Sequence, residues 1–109
     1  MAMRPYETMI VFDVTVDAQI QKAALDKALA TITNNGGRVV GEPDRWGKRP
    51  LAYEINKRKE GSYIVVQFEG VPSTVAELER ILGLSDEVLR HKVIRLPEHR
   101  PTAKVSPQA

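Results

Sequence analysis

Apolar residues change their spacing along this chain in a fixed order, and that order leaves few folds open. From Tyr6 to Phe12 the residues are aromatic, β-branched or long and apolar, with Tyr6, Thr8, Ile10 and Phe12 on one face and Met9 and Val11 on the other. Two apolar faces predict a central strand covered on both sides. Helical spacing follows from Asp17, a candidate N-cap, to about Asn34, with Ile20, Ala24, Leu25, Ala28, Leu29 and Ile32 sharing one half of the wheel. Asn35-Gly36-Gly37 ends it, glycine being suited to a left-handed terminal residue.

Strand spacing then returns. Val39 and Val40 begin a strand that Gly41, Pro43 and Gly47 interrupt, and Leu51, Tyr53 and Ile55 resume it, so one long, bent strand with a bulge is expected. Lys57 to Gly61 reads as a hairpin turn, and Tyr63 to Glu69 as the returning strand. Thr74-Val75-Ala76-Glu77 fits a capping box, opening a short helix that buries Val75, Leu78, Ile81 and Leu82 and can end at Gly83. Residues 87–95 form a last strand, with Leu89 and Val93 on one face and Arg90 and Lys92 on the other.

Strand, helix, strand, strand, helix, strand is two split βαβ crossovers. Each being right-handed, the chain is expected to make an α+β, ferredoxin-like βαββαβ sandwich: a four-stranded antiparallel sheet with both helices on one face. At 109 residues there is room for one such domain, taken as residues 1–96, followed by a flexible tail over 97–109 rich in proline and poor in large apolar side chains. No helix covers the second sheet face. Met9 and Val11, or their alternates on the first strand, with Tyr63 and Val65, must then meet solvent or a partner.

Charge is unevenly spread. Net charge is only +2, yet residues 45–59 hold Arg45, Lys48, Arg49, Lys57, Arg58 and Lys59 against Glu54 alone. Such segregation builds a field that attracts a polyanion. Within it Trp46 lies among Arg45, Lys48 and Arg49, where guanidinium forks suit phosphate and an indole can stack on a splayed base. The plainer alternatives are solubilising charges that guard a bent edge strand and a tryptophan used for packing. Arg4, Arg90 and Lys92 could extend the basic surface, since the first and last strands are neighbours in this topology.

Several chemistries lack their residues. There is no cysteine, hence no disulfide or thiolate, and only two histidines. Of these His91 is expected toward the core and His99 in the tail, so no metal or other cofactor is expected. Neither a phosphate-binding glycine loop nor a nucleophile elbow occurs. No apolar run approaches the roughly 20 residues that cross a bilayer, and no export pattern opens the chain, so a cytoplasmic, membrane-free location is expected. The rival function on this fold is a small enzyme, such as an acylphosphatase-like hydrolase, or a ligand-binding regulatory domain. The enzyme would need an arginine in the loop after the first strand, which here reads Asp13-Val14-Thr15-Val16-Asp17. An RNA-recognition motif shares the topology, but Tyr63 and Phe68 point to opposite faces and Val65 stands where a central aromatic would stack.

Met3-Arg4-Pro5-Tyr6-Glu7, Asp44-Arg45-Trp46-Gly47-Lys48-Arg49 followed by Leu51-Ala52-Tyr53, Glu60-Gly61-Ser62-Tyr63 and Val88-Leu89-Arg90 occur in that order. Together they resemble bacterial small-subunit ribosomal protein six, over about Met3 to Arg95. The resemblance implies a non-catalytic constituent of the small ribosomal subunit. Its partners would be the central domain of 16S ribosomal RNA and ribosomal protein eighteen (bS18), with no small-molecule substrate. The RNA contacts expected are Arg4, Arg45, Trp46, Lys48, Arg49, Lys57, Arg58, Lys59, Arg90 and Lys92. Those expected for the protein partner are Tyr6, Met9, Val11, Tyr53, Tyr63 and Val65. Pro50 stands where many members carry another basic residue.

Overall fold

The structure, a computed structural model, describes residues 3–55 and 57–97. Nearly all of the expected tail, including His99, lies outside them. The elements are β1 (Arg4–Asp13), α1 (Ala18–Asn34), β2 (Arg38–Ile55), β3 (Arg58–Gly70), α2 (Pro72–Leu84) and β4 (Val88–Arg95). All strand pairs are antiparallel, in the order β2-β3-β1-β4, so β1 and β3 form the centre and β2 and β4 the edges. This is the expected ferredoxin-like sandwich.

Register explains the core. Tyr6, Thr8 and Ile10 pair with Phe68, Val66 and Ile64, so these rows share one face. Both helices press on it through Leu25, Ala28 and Ile32 of α1 and Leu78 and Leu82 of α2. Burying each large side chain is worth about 1.5–3 kcal/mol, which makes this layer the main source of stability. Ile20 departs from its expected place: it is 47 % exposed, because only the middle and end of α1 lie over the sheet.

Helix ends are built differently from the simple capping patterns. Asp17 precedes α1 but its side chain accepts no capping bond; its carbonyl takes the Ile20 and Gln21 amides, both at 3.0 Å. Thr74 is not the residue before α2 but its third. There its hydroxyl accepts the Val71 amide at 3.2 Å and donates to the Asn35 carbonyl at 2.7 Å, joining the start of α2 to the end of α1. Glu77, expected in the capping box, instead holds Arg80. Pro72, whose ring presets a helical φ, begins the helix three residues earlier than the box implies.

β2 is the long, interrupted edge strand expected, with register breaks after Val40, Arg45 and Pro50. The hairpin turn is tighter than the expected Lys57–Gly61. Ile55 pairs directly with Arg58, and Lys57 takes a left-handed φ of 65°. Arg58, Lys59, Glu60 and Gly61 are therefore strand residues. On β4 a bulge between Val11 and Phe12 sets Val88 opposite Phe12, so Val88, rather than the expected Leu89, packs on the core.

Candidate nucleic-acid and protein interface

The helix-free face is lined by residues of one parity: Glu7, Met9 and Val11 of β1, Tyr63, Val65 and Gln67 of β3, and Arg90, Lys92 and Ile94 of β4. It is less open than alternation alone suggests. Val11 is 1 % and Val65 7 % exposed, while Met9 and Tyr63 are half-buried. Part of the cover over Val11 comes from the β2–β3 hairpin, where Leu51 and Val11 both crowd Gly61. The exposed apolar side chains of this face and its β2 border are Val40, Trp46, Tyr53 and Ile94. Val40 and Ile94 were not among the expected contacts, although each falls in the alternating pattern of its strand. Tyr6 was expected with this group, but it lies on the helix side, stacked on Phe68 with ring centroids 5.4 Å apart.

Two aromatic and cationic stacks cross the face. The Trp46 ring lies nearly parallel to Tyr63 at 6.3 Å, the Arg49 guanidinium sits 5.6 Å from the Trp46 centroid, and the indole N–H donates to Asp44 at 3.0 Å. Arg90 lies over Tyr53 at 5.9 Å and donates to its hydroxyl at 3.1 Å. The first stack explains how an edge strand broken by glycine and proline keeps a shape: planar groups pack on one another in place of ladder bonds.

The cations divide into groups. Arg45, Lys48 and Arg49 follow one another along β2, with Lys57 and Lys59 at the hairpin end. Lys48 makes only a loose 3.9 Å pair with Glu60, and both groups are exposed. Arg58 does not join them. Its Nε donates to both carboxylate oxygens of Asp13, at 3.0 and 3.2 Å. Burial would raise the Asp13 pKa, but bonds from the Thr15 amide and hydroxyl and from Arg58 outweigh it and hold the carboxyl below its ordinary value of 3.8. Arg58 thus comes to the loop after β1, already committed to that loop's own acid. Arg4 also stands apart: it pairs with Gly70 at one end of β1, whereas Arg90 pairs with Val11 near the other, roughly 23 Å along the strand. The expected convergence of Arg4, Arg90 and Lys92 does not occur. His91 faces the core as expected, with Nδ1 buried.

The family model described as ribosomal protein S6 matches residues 5–95, spanning every element of the sheet and both helices. The chain belongs to the ribosomal protein S6 family. The small ribosomal subunit protein bS6 of Beutenbergia cavernae is 50 % identical over 97 residues, covering 89 % of this chain and all of that one. The bS6 of Mycobacterium tuberculosis is 45 % identical over the same coverage. A crystal structure of 30S ribosomal protein S6 from Thermotoga maritima superposes with a TM-score of 0.80 at 27 % identity, covering 87 % of this chain and 89 % of the other.

As a member of the S6 family the chain is a structural protein of the small ribosomal subunit, at work on bacterial cytoplasmic ribosomes, and not an enzyme. Among the described residues no group of three or more potential metal ligands occurs. For an S6 protein the useful chemistry is that of a surface: mobile cations on one edge beside a face of planar side chains.

Proposed function

We propose that this S6-family chain grips the central domain of 16S ribosomal RNA with the β2 edge and hairpin end, and seats bS18 on the helix-free sheet face. The carrying observation is the run of Arg45, Lys48 and Arg49 along β2, continued by Lys57 and Lys59 at the hairpin end, beside the exposed Val40, Trp46 and Tyr53 of the same strand. Cations on flexible stems meet phosphates without reading bases, as suits folded RNA with a deep, narrow major groove. A strip of exposed apolar and aromatic groups rimmed by charge suits a protein. The Trp46 ring already stacks with Tyr63 and has the Arg49 guanidinium over it, which favours packing over base stacking for this residue. Arg90 and Lys92 lie on the sheet face at the β4 edge, opposite the β2 cations, and fit the far rim of the protein contact.

Filter binding of the central-domain RNA fragment, with bS18 present, tests the reading. Changing Arg45, Lys48 and Arg49 to alanine should weaken binding and reduce the slope of log affinity against log salt by about 2–3. Unchanged affinity and slope would remove the β2 edge from RNA binding. The intact chain without bS18 should bind the fragment only weakly, and tight binding alone would count against a shared surface.

A further inference from the structure

The face opposite the proposed RNA and bS18 surface carries its own feature. The first turns of α1 and the last turn of α2 flank an open groove of about 620 Å³. Its apolar lining includes Ile20, Ala24, Ile81 and Leu84, of which Ile20 is 47 % and Leu84 68 % exposed. Asp17, Asp86 and Glu87 stand around it, with Lys27 as the opposing charge. Among the described residues none of these three carboxylates accepts a side-chain hydrogen bond or ion pair. The C-terminal end of α2, the negative pole of its dipole, points here with no basic residue in its last turn.

We propose that this groove docks a basic, amphipathic helical segment of a neighbouring protein. Two helices side by side leave a trough that accepts a third helix, with apolar residues three and four apart entering it. Lysines or arginines flanking those residues would meet Asp17, Asp86, Glu87 and the α2 carbonyls. Charge decides against the alternatives. RNA phosphates and an anionic lipid surface would be repelled. A second copy related by two-fold symmetry would bring the same three acids against themselves. This contact is independent of the β2 edge and the sheet face, so both could be occupied together.

Amide NMR of the full chain tests it, titrated with a synthetic peptide about four turns long that carries leucine at helical spacing and lysine elsewhere. A control peptide has every lysine replaced by glutamate. Saturable shifts confined to the start of α1 and residues 81–87 are expected with the lysine peptide alone. The double substitution Asp86→Asn with Glu87→Gln should weaken that binding about three- to tenfold. Leu84→Ser should weaken it through lost apolar contact, with melting temperature monitored to verify folding. No saturable binding, shifts on the sheet instead, equal binding of the glutamate peptide, or indifference to the substitutions would each overturn the proposal. Concentration-dependent shifts at the groove without peptide would assign it to a second copy and overturn it as well.

Discussion

Arg90 on β4 donates a hydrogen bond to the hydroxyl of Tyr53 on β2 at 3.1 Å, although these strands are the opposite edges of the sheet. Contact is made because β2 and β3 run past the end of β1 as a hairpin that bends toward the helix-free face. Arg90, Tyr53, Leu51 and Gly61 are parts of one arrangement that shelters Val11.

Because the Arg90–Tyr53 pair is exposed, its energy is small. Tyr53→Ala should cost about 0.5–1 kcal/mol, a drop of a few degrees in melting temperature. Its effect on bS18 binding should be larger than that, since 60 % of Tyr53 is open to a partner. Calorimetry of the free chain and titration with bS18 separate the two effects. Equal losses in both would mean that the residue only holds the hairpin.

Asp13 should govern part of the acid sensitivity. Its pKa is lowered on folding, so its ionised form contributes stability that is fully present above the ordinary value of 3.8 and is lost as pH falls below it. Asp13→Asn should therefore reduce stability at neutral pH and flatten the decline below pH 3.8. Arg58→Ala should remove on the order of 1 kcal/mol at neutral pH. Urea unfolding across this pH range checks both, and parallel curves for parent and Asp13→Asn would refute the linkage.

Gly61 is required by space. A Cβ there would collide with Val11 Cγ1 and stand 3.3 Å from Leu51 Cδ2. Val11 is buried, so it cannot simply turn away. Gly61→Ala should cost about 1–3 kcal/mol through overpacking, read as a lower urea midpoint with an unchanged slope.

Thr8 offers the reverse case. It is 1 % exposed, packed between the central strands and the helices, and its hydroxyl has no hydrogen-bond partner among the described residues. Thr8→Val keeps the shape and removes the buried polar group. It should stabilise the chain by about 1 kcal/mol, a gain of several degrees in melting temperature. A lower melting temperature would show that the hydroxyl is satisfied.

Local pattern alone determined the order of elements, the grouping of Tyr6, Thr8, Ile10 and Phe12 on one face of their strand, the bent form of β2 and the stop at Gly36, which takes a φ of 83°. These follow from side-chain period and backbone freedom, both properties of neighbouring residues. The cluster along Arg45, Lys48 and Arg49 was equally legible, because residues adjacent in sequence on a strand stay adjacent in space.

Tertiary structure alone decided the rest. Arg58 leaves the basic group because Asp13, 45 residues earlier, lies beside it once β1 and β3 pair. Arg4 and Arg90 separate because antiparallel pairing sends neighbouring strands in opposite directions, so adjacency of strands does not imply adjacency of ends. Val11 and Val65 sit on a face without helices and are buried nonetheless; in the case of Val11 the hairpin bends over it. The Val11–Phe12 bulge exchanges Leu89 for Val88 by one residue. Each outcome depends on register or on a distant segment, and alternation along a single strand carries no record of either.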